Sequence, residues 1–162
     1  MLAIIMAQVE QNGFTWNKMG GIKMFVGQYL HNLDEKNRLI IPSKFRSKLG
    51  ENAIITLGYD KCLTIYTEEG WERLQEKLLQ MSDNKSDHRK HVRMIAGSAC
   101  ECNFDSHGRV ILPTTLKNAI GIEKEIVLVG NIDHIEIWPK ARWEEYYAEA
   151  FQTFDEIAEK FD

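Results

Sequence analysis

The sequence predicts an α+β fold made from one small unit used twice, each copy running strand, turn, strand, short helix, strand, strand and closing on a longer helix. Three observations predict it. Residues 34–42 read DEKNRLIIP and, seventy-one positions on, residues 105–113 read DSHGRVILP. Around both segments, alternation of apolar and polar residues gives way to three- and four-residue spacing in the same order. The composition is that of a soluble globular protein: of 162 residues, 44% are hydrophobic and 27% charged, with no run near the roughly 20 apolar residues of a membrane span.

The self-similarity extends well beyond the nonapeptide. At the same offset, Arg38 aligns with Arg109 and Leu49-Gly50 with Ile120-Gly121; after a one-residue insertion, LTIY (63–66) aligns with IEIW (135–138) and WERL (71–74) with WEEY (143–146). The duplicated unit is about 45 residues long.

The elements follow in chain order. Tyr29, His31 and Leu33, like Cys100, Cys102 and Phe104, alternate with their neighbours, so a strand approaches each aspartate. A five-residue turn, D-x-x-[NG]-R, comes next. Asn37 and Gly108 hold the same position in it and are the residue types that best tolerate positive φ. The runs 38–41 and 109–112 have the character of buried strands. Pro42 and Pro113 suit the first turn of a short helix, whose apolar stripe is Phe45/Leu49 in one copy and Leu116/Ile120 in the other. Gly50 and Gly121 then act as stops. Strands are predicted at 53–57 and 62–66, then at 125–129 and 134–138. Trp71, Leu74, Leu78 and Met81, and Trp143, Tyr146, Tyr147, Ala150 and Phe154, step at helical spacing and close the two copies. The polar break SDNKSD (82–87) separates the halves, with a helical turn or two after it around Val92, Ile95 and Ala96. Trp71 and Trp143, which open the two long helices, and Tyr66 and Trp138, which end the preceding strands, are expected in the core and not as base-stacking platforms. The organisation predicted is an extension at 1–23, a first unit at 28–70, a helical linker at 71–98, a second unit at 99–142 and an acidic C-terminal helix at 143–162.

Charge is unevenly distributed. The formal net charge is -4, yet residues 139–162 alone hold three basic and seven acidic residues, so the rest of the chain is neutral overall. Within that remainder Lys36, Arg38, Lys44, Arg46 and Lys48 crowd together against only Asp34 and Glu35. Such a local cluster suits phosphate contact better than the global sum suggests. Cys62, Cys100 and Cys102 are too few, and wrongly spaced, for a disulfide framework, which points to a reducing cytoplasm and to packing roles. His88 and His91, in a basic stretch from Lys85 to Arg93, lack a third ligand at sensible spacing, so no metal is expected. Residues 1–23 show no sustained periodicity and end in NKMGGIK ahead of Met24; adjacent glycine codons before a methionine look like a translated ribosome-binding site, so Met24 is the expected native start.

The segment YLHNLDEKNRLIIPSKFR (29–46), the second DSHGRVILP and the IEIW…W ending resemble the MraZ family of bacterial transcriptional regulators, built from two tandem SpoVT-AbrB modules. The resemblance runs from about Met24 to Trp143. It implies an α+β fold in which two β-α-β-β units interlock into one small pseudo-symmetric β-barrel, each followed by a helix. It also implies ring-like homo-oligomers, nucleoid association, and repression of the division and cell-wall gene cluster, including the protein's own gene, through repeated upstream boxes of double-stranded DNA. The departure from the family is Asn37, where glycine is usual.

Carried onto this chain, the family motif makes Arg38 and Arg109 the candidate DNA readers, since a planar guanidinium donates to phosphate or bidentately to guanine. The other reading is that Asp34–Arg38 and Asp105–Arg109 are salt bridges holding each turn, and a braced arginine can serve both ends. Asp34, Asn37, Asp105 and Gly108 are expected to shape the turns. Lys36 and His107 occupy equivalent tips and either meet DNA or form a solvated loop. Lys44 and Arg46, with Lys48, ride on the first helix as an electrostatic grip or as a plain solvated face, while the second helix offers only Lys117. No nucleophile motif, phosphate loop or cofactor fingerprint is present, so no cofactor, small-molecule substrate or catalysis is expected. The alternatives are a hydrolase pairing Asp34 with Asp105, or an oligomeric scaffold without DNA.

Overall fold

The computed structural model describes residues 24–161; the expectation about residues 1–23 lies outside them. In chain order the elements are β1 (Phe25–Asn32), β2 (Arg38–Ile40), α1 (Ser43–Leu49), β3 (Ile54–Leu57), β4 (Leu63–Tyr66), α2 (Glu68–Leu79), α3 (Ser86–Ser98), β5 (Cys100–Glu101), β6 (Arg109–Ile111), α4 (Thr114–Ile120), β7 (Glu125–Ile132), β8 (His134–Pro139), α5 (Lys140–Gln152) and α6 (Phe154–Ala158), with a 3-10 turn at Glu159–Phe161. None of the described helices is long and apolar enough to cross a membrane.

The two copies are woven through each other. The main sheet is antiparallel and six-stranded, in the order β1-β7-β8-β4-β3-β5, while β2 and β6 form a separate two-stranded ribbon. Only β3–β4 and β7–β8 pair within a copy; β1 pairs with β7, β5 with β3, β4 with β8 and β2 with β6 across copies. In the ribbon, Leu39 stands opposite its own counterpart Val110. In the sheet, Thr64 likewise stands opposite Glu136. A local twofold relation therefore runs between these two pairs, and neither copy contains a complete sheet by itself.

Apolar residues that face one side of the sheet meet those under the ribbon and the short helices. Leu39, Phe45, Val110 and Leu116 share one buried cluster with Ile65, Leu128 and Ile137. Phe45 packs edge-on against Phe25 and Tyr29, at ring separations of 5.6 and 5.0 Å. On the opposite side, Trp138 and Trp143 pack with Cys62 and Val127, which fastens α5 to the sheet. Trp138 and Trp143 thus occupy a core as expected, and Trp71 is half-buried. Cys62 and Cys102 are buried too, and burial pushes the Cys102 thiol up to about 12.

Several expectations are corrected. Among the described residues hydrogen bonding gives an open sheet with edges at β1 and β5, and no closed sheet forms. One cause is visible in the chain: the residues at 96–99, which align with the first half of β1, are taken up by the end of α3 and its cap. That helix is thirteen residues long, more than a turn or two, and it leaves β5 two residues against the eight of β1. The runs 38–41 and 109–112 are not buried on both sides, because a two-stranded ribbon has one face on the core and one on solvent: Ile40 and Ile111 are exposed while Leu39 and Val110 are buried. Pro42 and Pro113 sit at the N-cap, with extended ψ of 137° and 133°, not inside the first turn. The long helices begin three residues before their tryptophans. Thr67 caps α2 by accepting a hydrogen bond from the Gly70 amide at 3.0 Å.

Candidate nucleic-acid interface

The two turns are built alike. In the first, Asp34 Oδ1 accepts from the amides of Lys36 and Arg38, both at 2.9 Å, and Oδ2 accepts from Arg38 Nε at 2.5 Å. In the second, Asp105 Oδ1 accepts from the amides of His107 and Arg109 at 2.8 and 3.0 Å, and Oδ2 from Arg109 Nε at 2.7 Å. The Asn37 and Gly108 amides each close their turn onto the aspartate carbonyl at 3.0 Å. A short carboxylate that satisfies its own backbone is what fixes such a loop. Asn37 and Gly108 both take positive φ, 56° and 73°, as their types predict.

These bonds set the carboxylate chemistry. The Arg109 amide, then the Arg109 side chain and the His107 amide, hold the Asp105 carboxyl down at about 2 against a smaller opposing effect of burial, and Asp34 is lowered by its equivalent partners. Both carboxylates are thereby committed to their turns as braces. Each arginine meets its aspartate through Nε. Among the described residues the Nη groups at the far end of each fork have no hydrogen-bond partner, which leaves their donors for another acceptor.

A second set of contacts ties each turn to the other copy. The Ile41 amide donates to the Gly108 carbonyl at 3.2 Å, and its counterpart, the Leu112 amide, donates to the Asn37 carbonyl at 2.9 Å. Arg46 Nη1 reaches the carbonyls of Gly108 and Ile41 at 3.5 and 3.3 Å. Its counterpart Lys117 donates through Nζ to Asn37 Oδ1 at 2.9 Å. The guanidinium lies so close over Gly108 that a Cβ there would overlap it. The guanidinium would have to swing aside for a Cβ, and the positive φ of 73° favours glycine in the second turn, whereas the first turn meets a slimmer lysine and uses an asparagine side chain to receive it.

The candidate residues therefore separate. Lys36 and His107 are exposed at the two tips, and Lys44 is exposed on α1. Arg38 and Arg109 stand on the outward face of the ribbon, partly exposed. Arg46, expected at the DNA, has its guanidinium engaged with the second turn. Lys48 Nζ is bonded to the Met24 carbonyl at 2.8 Å. His88 and His91 go to different partners, the Ser82 amide and the Tyr59 hydroxyl. Sequence reasoning missed the reach of Lys117 and the exposure of Ile40 and Ile111. The first was recoverable, because the offset of 71 that pairs Asn37 with Gly108 also pairs Arg46 with Lys117. A hollow of about 460 Å³ lined by Glu51, Glu68, Glu72 and Glu101 shares no residue with the turns, and its acidic wall disfavours phosphate.

A family profile described as "MraZ protein, putative antitoxin-like" matches residues 24–94 and again 95–162. The chain belongs to the MraZ family. Similar relatives include proteins named Transcriptional regulator MraZ from Pediococcus pentosaceus, 47% identical over 136 residues, and from Moorella thermoacetica, 42% identical over 137 residues. These alignments cover 84% and 85% of this chain and 95% and 96% of the relatives. A third, from Limosilactobacillus fermentum, is 44% identical over 139 residues, 86% of this chain and 97% of that protein. Family membership thus covers both copies of the turn, as the resemblance in the motifs implied.

Proposed function

We propose that this protein is a sequence-specific, double-stranded DNA-binding transcriptional regulator, acting in the cytoplasm on the nucleoid and not as an enzyme. The observation that carries the reading is the pair of braced arginines, Arg38 and Arg109, presented on one face of a two-stranded ribbon with Nη donors that meet no acceptor among the described residues. A ribbon of this kind fits the major groove, where a bidentate arginine recognises guanine. Bracing by aspartate fixes the fork before DNA arrives and so lowers the ordering cost of binding. Lys36 and Lys44 add phosphate contacts that orient the complex. Arg46 is assigned to the latch between copies and leaves the DNA-contact set.

One subunit reaches few phosphates. Affinity therefore comes from a ring-like homo-oligomer engaging repeated boxes together, each added subunit binding as an intramolecular event. Exposed Phe151, Phe154 and Phe161 near the C-terminus offer apolar surface for contacts between subunits, on an acidic segment that DNA avoids. The target we assign is the division and cell-wall gene cluster that includes the protein's own gene, with repression as the outcome. The test is a footprint and gel shift on the DNA upstream of that gene, over a salt series and with excess competitor. Protected repeats, with affinity falling steeply as salt rises, are expected. Equal binding to unrelated DNA, or none at any salt concentration, would overturn the reading.

A further inference from the structure

We infer that Ile40 and Ile111 read thymine, packing against its C5 methyl group in the major groove beside the bases held by Arg38 and Arg109. The inference rests on the DNA reading above and adds apolar readers to it. Leu39 and Val110 face the core at 0% and 2% exposure, so the residues on either side of them share the outward face of the ribbon. Ile40 and Ile111 are 51% and 67% exposed there. The register sets Ile111 opposite Arg38 and Ile40 opposite Arg109. Each isoleucine is therefore flanked by one arginine across the ribbon and by another two residues along its own strand.

That interleaving decides what covers the face. A second protein core would have to bury two guanidinium groups to reach two isoleucines, at a desolvation cost that the small apolar area does not offset. The major groove answers both residue types at once. Its edge offers guanine acceptors for the arginines and, as its one apolar feature, the thymine methyl. Residues two apart on a strand advance about 6.6 Å, near two base steps of about 3.4 Å each. Each thymine so read lies within about two steps of a base read by an arginine.

The test uses the full-length protein and the upstream fragment that it footprints, resynthesised with deoxyuridine for each protected thymine in turn, which removes only the methyl. At one or two positions the wild-type protein should lose about four-fold in affinity, the worth of one buried methyl group. The Ile40→Ala/Ile111→Ala protein should bind thymine and uracil equally at those positions. Uracil tolerated everywhere by a wild-type protein that still footprints would overturn the inference and leave the DNA reading standing. Discrimination that survives in the double variant would overturn it as well. If that variant keeps discrimination but changes the mass of the assembly in sedimentation, a second copy of this chain covers the face and the inference falls. Absence of any specific footprint by the wild type would remove the DNA reading and this inference together.

Discussion

The first and second turns have the same skeleton and different attachments. Matching bonds to Asp34 and Asp105 differ by only 0.1–0.2 Å. What arrives from the other copy differs in kind: Arg46 lies over Gly108, and Lys117 reaches the side chain of Asn37. The tips differ too, lysine in one and histidine in the other. A duplicated unit has thus kept its brace and its arginine while the two latches diverged as matched pairs.

The largest effects in both copies should appear in the core. Phe45→Ala removes a ring packed against Phe25 and Tyr29 and should cost about 3–5 kcal/mol by chemical denaturation, against about 2–5 kcal/mol for its counterpart Leu116→Ala. Loss of less than 1 kcal/mol at Phe45 would contradict the packing described. Next come the latches. Gly108→Ala places a methyl group against Arg46 at positive φ and should destabilise by about 1–3 kcal/mol, whereas Asn37→Gly should stay within about 1 kcal/mol of wild type. Transplanting the first latch into the second, Gly108→Asn with Arg46→Lys, should recover much of the loss caused by Gly108→Asn alone. If the two substitutions add independently, the latch is not a unit.

The tips predict a smaller, electrostatic contrast. Lys36→Ala should flatten the dependence of log affinity on log salt by about one phosphate contact, a slope change of roughly 0.9. His107→Ala should change that slope less than Lys36→Ala does. Last is a pH effect in the braces. Because the folded-state pKa of Asp105 is depressed, its contribution to stability is complete above the ordinary carboxylate value of about 3.9 and is lost as pH falls through about 2. Carboxyl NMR titration should place Asp105 near that lower value; a midpoint at the ordinary value would mean the brace is open in solution.

Much of this was legible in the sequence because duplication doubles every local signal. The turn, the positive φ at Asn37 and Gly108, and the helices stopped by Gly50 and Gly121 depend on side chains acting within a few residues, where residue type and spacing carry the physics. The exchange of strands between copies was not legible from periodicity, since alternation shows which face is buried but not which strand lies beside it. The exposure of Ile40 and Ile111 was hidden for a related reason: LIIP and VILP are continuous apolar runs, and only their placement in a two-stranded ribbon exposes the middle residue. Arg46 illustrates the opposite error. A basic residue on a short amphipathic helix looks solvated until the second turn is seen packed beneath it.

We propose that both turns present equivalent, pre-braced arginines to DNA. It is tested most directly by quantitative gel shift of Arg38→Ala, Arg109→Ala and the double variant on the protein's own upstream DNA, after sedimentation and circular dichroism show each to be folded and assembled as wild type. Each single substitution should cost about 1–3 kcal/mol of specific binding, and the double variant should bind no better than to unrelated DNA. Wild-type affinity in either single variant would contradict the claim for that turn.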